Sequence, residues 1–299
     1  MKRNIKDMVS KKTMLGKTNY YNKKNEMSLA NTLKRGVHET SPQQSVIAVV
    51  EKLEPTIVTK PSNVEILQLK LTQKTCKLSN FRILLLISNY ERIDMFKTLL
   101  SEIKTFKNCN IHIDYIVYDD RSSYTIDDPM FKINNEHRGK IGYWKTFNEM
   151  FKYCKTNQYD VYVFSPNDFI NYDFNKIVEY GSKLRNDKYI FNIINDGRLT
   201  SWNDRLPISL TDKIRLQFFT DCGFFTNYIT LESLDFTVEK TTNQRENIGS
   251  RVGSQLTKRI NDMSIPIFSP ISSFAYHGEH ESLMNYDVRL NNKLLSKHD

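Results

Sequence analysis

The sequence lacks any run of about 18 consecutive apolar residues, the length that a transmembrane helix needs. Its first segment, MKRNIKDMVSKKTMLGKTNYYNKKNEM, is polar and basic and has no apolar stretch of the signal-peptide type. Cysteine is scarce, and Cys76, Cys109, Cys154 and Cys222 lie too far apart to form a metal-type pair. Free thiols of this kind are typical of a reducing compartment. We therefore expect a cytoplasmic protein, located in the host cytoplasm if it is viral.

Glycine-rich phosphate loops are also absent. Neither G-x-G-x-x-G nor G-x-x-x-x-G-K follows an apolar run, which weighs against a Rossmann dehydrogenase and a P-loop ATPase. A nucleotide would have to bind through acidic side chains that accept hydrogen bonds from the base or ribose. Its pyrophosphate would then need a cation or basic side chains.

The net charge of +9 is concentrated at the beginning of the chain, where residues 1–40 carry +7 and residues 81–299 sum to zero. A basic arm can bind nucleic acid through its phosphates, or it can be a solvated tail. We predict a partly disordered arm over residues 1–44, with a short helix around EMSLANTLKRGV. An irregular linker or appendage packed on the core is predicted over 45–80, and a folded domain over 81–299.

Apolar runs and amphipathic helical patterns alternate from residue 81 onward. FRILLLISNY, IHIDYIVYDD, DVYVFS and KYIFNIIND have the composition of buried strands, and the segments between them repeat apolar residues every three or four positions,. This alternation predicts an α/β fold with a mostly parallel sheet. Ligands of such sheets bind beyond the carboxyl ends of the strands.

Polar residues follow each of the four predicted strands. A single Asp or Asn at such a turn usually caps the turn or the next helix, but four polar strand ends on one edge indicate a site. They comprise Ser88, Asn89 and Tyr90; Asp119 and Asp120; Asn167 and Asp168; and Asp196 and Arg198.

Four segments together resemble the GT-A glycosyltransferases, of the family 2 type. ILLLISNYERIDMFKTLLSEI resembles their first strand and helix, and YIVYDDRSS resembles the V-x-D-D-x-S strand end. EHRGKIGYWKTFNEMFKYC resembles the helix that follows, and VYVFSPNDF stands where the family has its Asp-x-Asp metal motif. The resemblance implies a GT-A-like sheet, a nucleotide-sugar half over 81–200 and an acceptor half over 201–299.

The resemblance also implies an enzyme that transfers a hexosyl or pentosyl group from a nucleoside-diphosphate sugar, foremost a UDP-sugar. Asp119 or Asp120 would contact the base or ribose, and Arg138 and Lys140 would approach the diphosphate. Asp168 would hold Mn²⁺ or Mg²⁺, which suit carboxylate ligands and neutralise the leaving group. Pro166 and Asn167 replace the family's further acids, so either another ligand is needed or a basic side chain takes over.

The second half offers further candidates, each with an ordinary structural reading. Trp202 is a core residue or part of the sugar or acceptor pocket. Asp221, in the turn Asp221-Cys222-Gly223 between aromatic runs, is a cap or a general base with a raised pKa. Arg251, at the start of a helix, is an exposed basic residue or a phosphate ligand.

His277 matches a His-Gly segment near the end of the family's catalytic domain and would join Asp168 at the cation. A zinc-hydrolase reading of His277, Glu279 and His280 is poor, because their spacing is not H-E-x-x-H,.

The acceptor is open, since it is either a protein, a glycan or DNA. The basic arm allows a hydroxymethylated base in phage DNA, which would have to leave the duplex to react. The alternatives are a nucleotidyltransferase, a nucleotide-sugar binder without turnover, and a nucleic-acid-binding protein that acts through its arm.

Overall fold

The computed structural model describes residues 62–74, 79–195, 206–239 and 252–278. All of them lie in Thr59–Asp299, one of the two units into which the chain divides. The described helices are α1 (Asn63–Thr72), α2 (Ile93–Thr105), α3 (Gly139–Thr156), α4 (Phe174–Lys183), α5 (Tyr228–Ser233) and α6 (Val252–Asp262). None of these helices is long and apolar enough to cross a membrane.

Eleven strands occur in the described residues. Nine of them form one sheet in the order β3-β2-β1-β4-β9-β6-β10-β8-β7, and β11 pairs with β5 in a separate two-stranded ladder. They are β1 (Phe81–Asn89), β2 (Ile111–Asp119), β3 (Phe131–Ile133), β4 (Val161–Pro166), β5 (Phe169–Ile170), β6 (Ile190–Asn192), β7 (Ile208–Ser209), β8 (Ile214–Gln217), β9 (Phe224–Thr226), β10 (Ile267–Pro270) and β11 (Tyr276–His277).

The large sheet is mostly parallel, as predicted. Strands β3, β2, β1 and β4 pair in parallel, and β6 pairs in parallel with β10. Only β9 and β8 run against the others. The α/β fold class inferred from the alternating pattern is therefore confirmed.

The first strand shows why its sequence is apolar throughout. Ile83, Leu85 and Ile87 are fully buried on one face of the sheet, together with side chains of α1, α2 and α4. Leu84 and Leu86 are fully buried on the other face, with α3, α5 and α6. Because successive side chains of a strand point to opposite faces, a strand covered by helices on both faces needs apolar residues at every position.

The segment predicted to be irregular contains one regular element, α1. Ser62 caps it by accepting a hydrogen bond from the Glu65 backbone N–H at 3.3 Å, and the Glu65 carboxylate accepts one from the Ser62 N–H at 2.5 Å. The helix is tied to the region of α4 by an ion pair of Lys70 with Asp187 at 2.5 Å. The linker or appendage expected over 45–80 thus contains a helix, which the Ser-x-x-Glu capping box starts,.

Replacing Ser62 with alanine is expected to lower the free energy of unfolding by about 1 kcal/mol, since one backbone donor loses its acceptor. The hydrogen bonds from Ser62 lower the pKa of Glu65. The contribution of Glu65 is therefore fully present above its unfolded pKa and is lost as the pH falls through its folded pKa. Urea unfolding of the wild type, Ser62→Ala and Glu65→Gln at pH 7 and pH 3 measures both effects. The loss in Ser62→Ala is expected at both pH values, because the Ser62 N–H that donates to the Glu65 carboxylate is retained. A difference between Glu65→Gln and the wild type that does not shrink at pH 3 would contradict this account.

Candidate functional site

The carboxyl ends of β1, β2 and β4 meet at one edge of the sheet. Asn89 pairs with Asp119 at the end of β2, and Ser88 pairs with Pro166 at the end of β4. Since β2 and β4 lie on opposite sides of β1, the chain order reverses there. This is the switch point at which open α/β sheets bind their ligands.

The buried Asp119 side chain links the ends of β1 and β2 through hydrogen bonds. Its side chain is fully buried, and its carboxylate accepts hydrogen bonds from the Asn89 amide at 2.5 Å and from the Ser122 N–H and hydroxyl at 2.9 and 2.6 Å. The Asn167 side-chain amide donates to the Asn89 side-chain oxygen Oδ1 at 2.7 Å and to the Glu91 backbone carbonyl at 2.9 Å. These bonds fix the turn after β1 to the turns after β2 and β4. We call this group of strand ends and turns the rim, and Asp119 is a buried side chain that supports it.

Asp120 caps the first turn of α3. Its carboxylate accepts from the backbone N–H groups of Arg138 and Gly139 at 2.7 and 2.8 Å. The Arg138 guanidinium donates to Glu149 at 2.6 Å on the same helix. Lys140 belongs to the first turn of α3, and its side chain lies outside the described part of the structure. The predicted donor contacts of these residues remain predictions.

Asp168 lies in the centre of the rim and is held by Arg92. The Arg92 guanidinium donates to the Asp168 carboxylate, and the two side chains are only 11% and 4% exposed. Arg92 has a left-handed backbone with φ of 59° and immediately precedes α2. Sequence reasoning missed this pair, because nothing in the local pattern links a turn residue to a side chain 76 positions later.

His277 is brought to Asp168 from the far end of the chain. β11 pairs with β5, so that His277 lies opposite Phe169, and its ring meets the Phe169 ring edge-on at 5.6 Å. Its Nε2 lies 3.4 Å from the Asp168 carboxylate. The Gly278 N–H donates to the Asp168 backbone carbonyl at 2.8 Å. The two residues predicted to share a cation are thus neighbours.

The donor set at this position does not fit a divalent cation. Mg²⁺ and Mn²⁺ prefer several oxygen ligands, and no group of three or more His, Cys, Asp or Glu side chains suited to a metal occurs among the described residues. The carboxylate of Asp168 already binds a guanidinium, which would repel a cation placed on the same oxygens. The geometry therefore does not favour the metal assignment of Asp168 and His277.

Tyr143 also belongs to the rim, although no sequence motif indicates it. Its hydroxyl lies 2.6 Å from Ser88 Oγ. Burial raises the pKa of Tyr143 well above its usual value, and the nearby groups of Cys222, Asp221 and Asp168 raise it further, against the Ser88 hydrogen bond, which lowers it. At neutral pH the phenol is protonated, so the rim contains a neutral hydroxyl among acidic groups.

Asp221 reaches the same edge because β9 is antiparallel to β4. Phe224 at the start of β9 pairs with Phe164, which places the preceding turn beside the end of β4. Asp221 is exposed and accepts from the Cys222 N–H at 2.9 Å. A methyl group added at Gly223 would lie 2.4 Å from the Phe169 ring, which shows how closely this turn packs beside Asp168.

An aromatic pair lies farther along the rim. Tyr90, 39% exposed, stacks at a tilt on the exposed His137, with ring centroids 4.9 Å apart. The His137 ring is held by a hydrogen bond between its Nδ1 and the Asp120 backbone carbonyl, at 2.9 Å. The two rings offer an exposed aromatic surface next to the ends of β1 and β2.

Arg198, Trp202 and Arg251 lie outside the described residues, as do Asp196, Glu279 and His280. Their predicted roles therefore stay predictions.

No protein-family model matches the sequence. No curated protein matches it either.

Several solved structures are similar in fold. Residues 1–349 of TarS from S. aureus share 12% identity over 66% of this chain and 60% of that chain, with a TM-score of 0.44. The mannosyltransferase PcManGT from Pyrobaculum calidifontis, in complex with GDP-Man and Mn²⁺, shares 11% identity over 77% and 67%, with a TM-score of 0.43. GalNAc-T7 with UDP, GalNAc and Mn²⁺ shares 11% identity over 81% and 59%, with a TM-score of 0.46.

The chain thus spans about three fifths of the length of TarS 1–349 and of GalNAc-T7. These likenesses are distant, with TM-scores of 0.43 to 0.46.

Proposed function

We propose that the protein transfers a sugar from a nucleoside-diphosphate sugar to an acceptor hydroxyl. The observation that carries the proposal is the rim itself. The ends of β1, β2 and β4, the turn before β9 and the His277 segment bring a fixed polar cluster to the switch point of an open α/β sheet,. Four sequence segments that resemble the GT-A glycosyltransferases supply strand ends or the helix of this rim.

The aromatic pair of Tyr90 and His137 is assigned to the nucleobase. A base has a flat π-face that stacks on aromatic rings, and such stacking contributes about 1–3 kcal/mol per base in single-stranded nucleic acids. No Gly-rich loop is present for the phosphates, so the diphosphate would be met by the side chains around Asp168.

Asp221 is assigned to the acceptor. An inverting transfer needs a base that takes the proton from the attacking hydroxyl, and an exposed carboxylate on the rim is accessible to an acceptor. The Tyr143 hydroxyl lies 2.6 Å from Ser88 Oγ at the end of β1, and the nearby Asp221 and Asp168 help to raise the pKa of Tyr143. It is therefore suited to donate a hydrogen bond to the donor sugar or its leaving oxygen.

The finer predictions have other grounds. The basic arm over residues 1–40, which lies outside the described residues, allows a hydroxymethylated base in phage DNA as the acceptor. The hexosyl or pentosyl choice and the UDP preference follow from the resemblance alone. We therefore propose a hydroxyl acceptor and a nucleoside-diphosphate donor, and leave these finer choices as predictions.

The test starts from binding. UDP, GDP and their sugar conjugates are screened for an increase in melting temperature, since a ligand that binds only the folded state raises it. At least one nucleotide is expected to stabilise the protein. Tyr90→Ala is expected to weaken that nucleotide about 10-fold, because about 1.4 kcal/mol of stacking is lost. Tyr90→Phe keeps the ring and serves as the matched control, with affinity near that of the wild type.

Turnover is measured next, as release of nucleoside diphosphate from the sugar conjugate that binds. A nucleotide that binds but is never released from its conjugate, with any hydroxyl acceptor tried, would favour the alternative of a binder without turnover. No stabilisation by any nucleotide, with or without Mn²⁺, would rule out the proposed function and favour a protein that acts through its basic arm.

A further inference from the structure

Arg92 and Asp168 form a nearly buried ion pair in the rim. Both side chains are almost buried, and they are joined by a hydrogen bond as well as by charge. The turn that carries Arg92 is fixed on its other side by Asn167, which donates to the Glu91 backbone carbonyl at 2.9 Å. A guanidinium held this firmly at the switch point is pre-organised, so little conformational entropy is lost when it binds a further group.

A positive charge at the Arg92 position could stabilise the leaving group of a glycosyl transfer. If the donor is a nucleoside-diphosphate sugar, negative charge develops on its leaving oxygen, and a nearby positive group must stabilise it. Divalent cations commonly do this, but the carboxylate that would hold one here binds Arg92 instead. Guanidinium groups suit the task, because their planar N–H donors match two phosphate oxygens at once.

We propose that this site binds the diphosphate of its donor without a divalent cation. Arg92 supplies the positive charge, and Asp168 is the positioning residue that orients the guanidinium. His277, with a side chain 35% exposed and Nε2 3.4 Å from Asp168, lies beside the pair and contributes a further N–H donor. This inference rests on the proposed function, since it concerns how the same donor is bound.

The two ways of binding predict opposite effects of one substitution. If Asp168 holds a metal, Asp168→Asn removes a ligand and weakens nucleotide binding. If Asp168 only orients Arg92, Asp168→Asn removes a negative charge next to the incoming diphosphate, and binding is kept or becomes tighter. If Arg92 binds the diphosphate, Arg92→Gln weakens nucleotide binding, because it removes the positive charge that the diphosphate contacts.

The experiment is calorimetric titration with UDP and GDP, in EDTA and in Mn²⁺. We expect the wild type to bind one nucleotide in EDTA with an affinity within about 3-fold of that in Mn²⁺. Arg92→Gln is expected to bind at least about 10-fold more weakly, as for the loss of one hydrogen bond to a charged group. Asp168→Asn is expected to bind at least as tightly as the wild type.

Two further variants keep the test independent of folding defects. Arg92→Gln leaves the buried carboxylate without its guanidinium, so the double variant Arg92→Gln/Asp168→Asn is included, in which neither member is charged. It is expected to fold, as judged by a cooperative thermal transition, and still to bind weakly in EDTA. Arg185→Gln is the matched control, since Arg185 pairs with Asp160 at 3.6 Å at the opposite edge of the sheet. It is expected to bind like the wild type.

The outcomes separate this inference from the proposed function. Binding that requires Mn²⁺ and disappears in Asp168→Asn overturns the inference and leaves the proposed function intact. Metal-free binding that survives in the double variant also overturns it, because the charge of Arg92 would then be unnecessary. Failure of every nucleotide to bind, in either condition, overturns the inference and the proposed function together.

Discussion

Replacing Asn89 with aspartate is expected to lower the free energy of unfolding by about 3–5 kcal/mol at pH 7, the range for an uncompensated buried charge. The Asn89 amide donates to the fully buried Asp119 carboxylate at 2.5 Å. Aspartate has almost the same shape but has no N–H, so two carboxylates would face each other in a buried site. The loss is expected to shrink as the pH falls, because one carboxyl group can then take up a proton and donate it to the other.

Urea unfolding of Asn89→Asp and the wild type between pH 4 and pH 8 measures this effect. Asn175→Asp is the matched control, since Asn175 is exposed in the first turn of α4. It is expected to change the free energy of unfolding by less than about 0.5 kcal/mol. If Asn89→Asp proves as stable as the control at pH 7, the buried network of Asn89 and Asp119 does not exist as described.

Replacing Gly223 with alanine is expected to cost about 1–3 kcal/mol of stability, as for overpacking of a dense interior. The added methyl group would lie 2.4 Å from Cε2 of Phe169 and 2.8 Å from its Cζ. Phe169 is a buried ring that cannot give way as a flexible chain end would. Since Phe169 follows Asp168 and packs against His277, its displacement is also expected to weaken nucleotide binding at the rim.

A double-mutant cycle with Phe169→Leu tests the steric cause. Leucine lacks the ring edge that the methyl group meets, so the two substitutions together are expected to cost less than the sum of the single ones. Denaturant unfolding of the four proteins gives the coupling energy. Simple additivity would show that the strain arises elsewhere.

Local sequence determined the elements of this fold to a large extent. The unbroken apolar run of β1 specified a strand covered on both faces, and the three-to-four spacing of Phe96, Leu100 and Ile103 specified the buried face of α2,. The polar strand ends followed, because parallel strands bring their carboxyl ends to one edge. The start of α1 is also encoded locally, since Ser62 and Glu65 form a capping box.

The composition of the site depended on the tertiary structure. Whether Asp119 meets a ligand or supports the rim depends on its burial, and burial depends on how Asn89 and Ser122 close over it. The antiparallel direction of β9, which brings Asp221 to the rim, has no local signature, because a short apolar strand reads alike in either direction.

The edge of the sheet that carries the candidate site was predictable from local patterns, because strand periodicity and strand ends are properties of neighbouring residues. The side chains at its centre are set by packing of the whole domain. The resemblance placed Asp168 beside His277 at a cation, and the two side chains are indeed neighbours. The partner that argues against a metal is Arg92, 76 residues earlier, which no motif indicates. Contacts at such separations are set by packing of the whole domain, which no local pattern encodes.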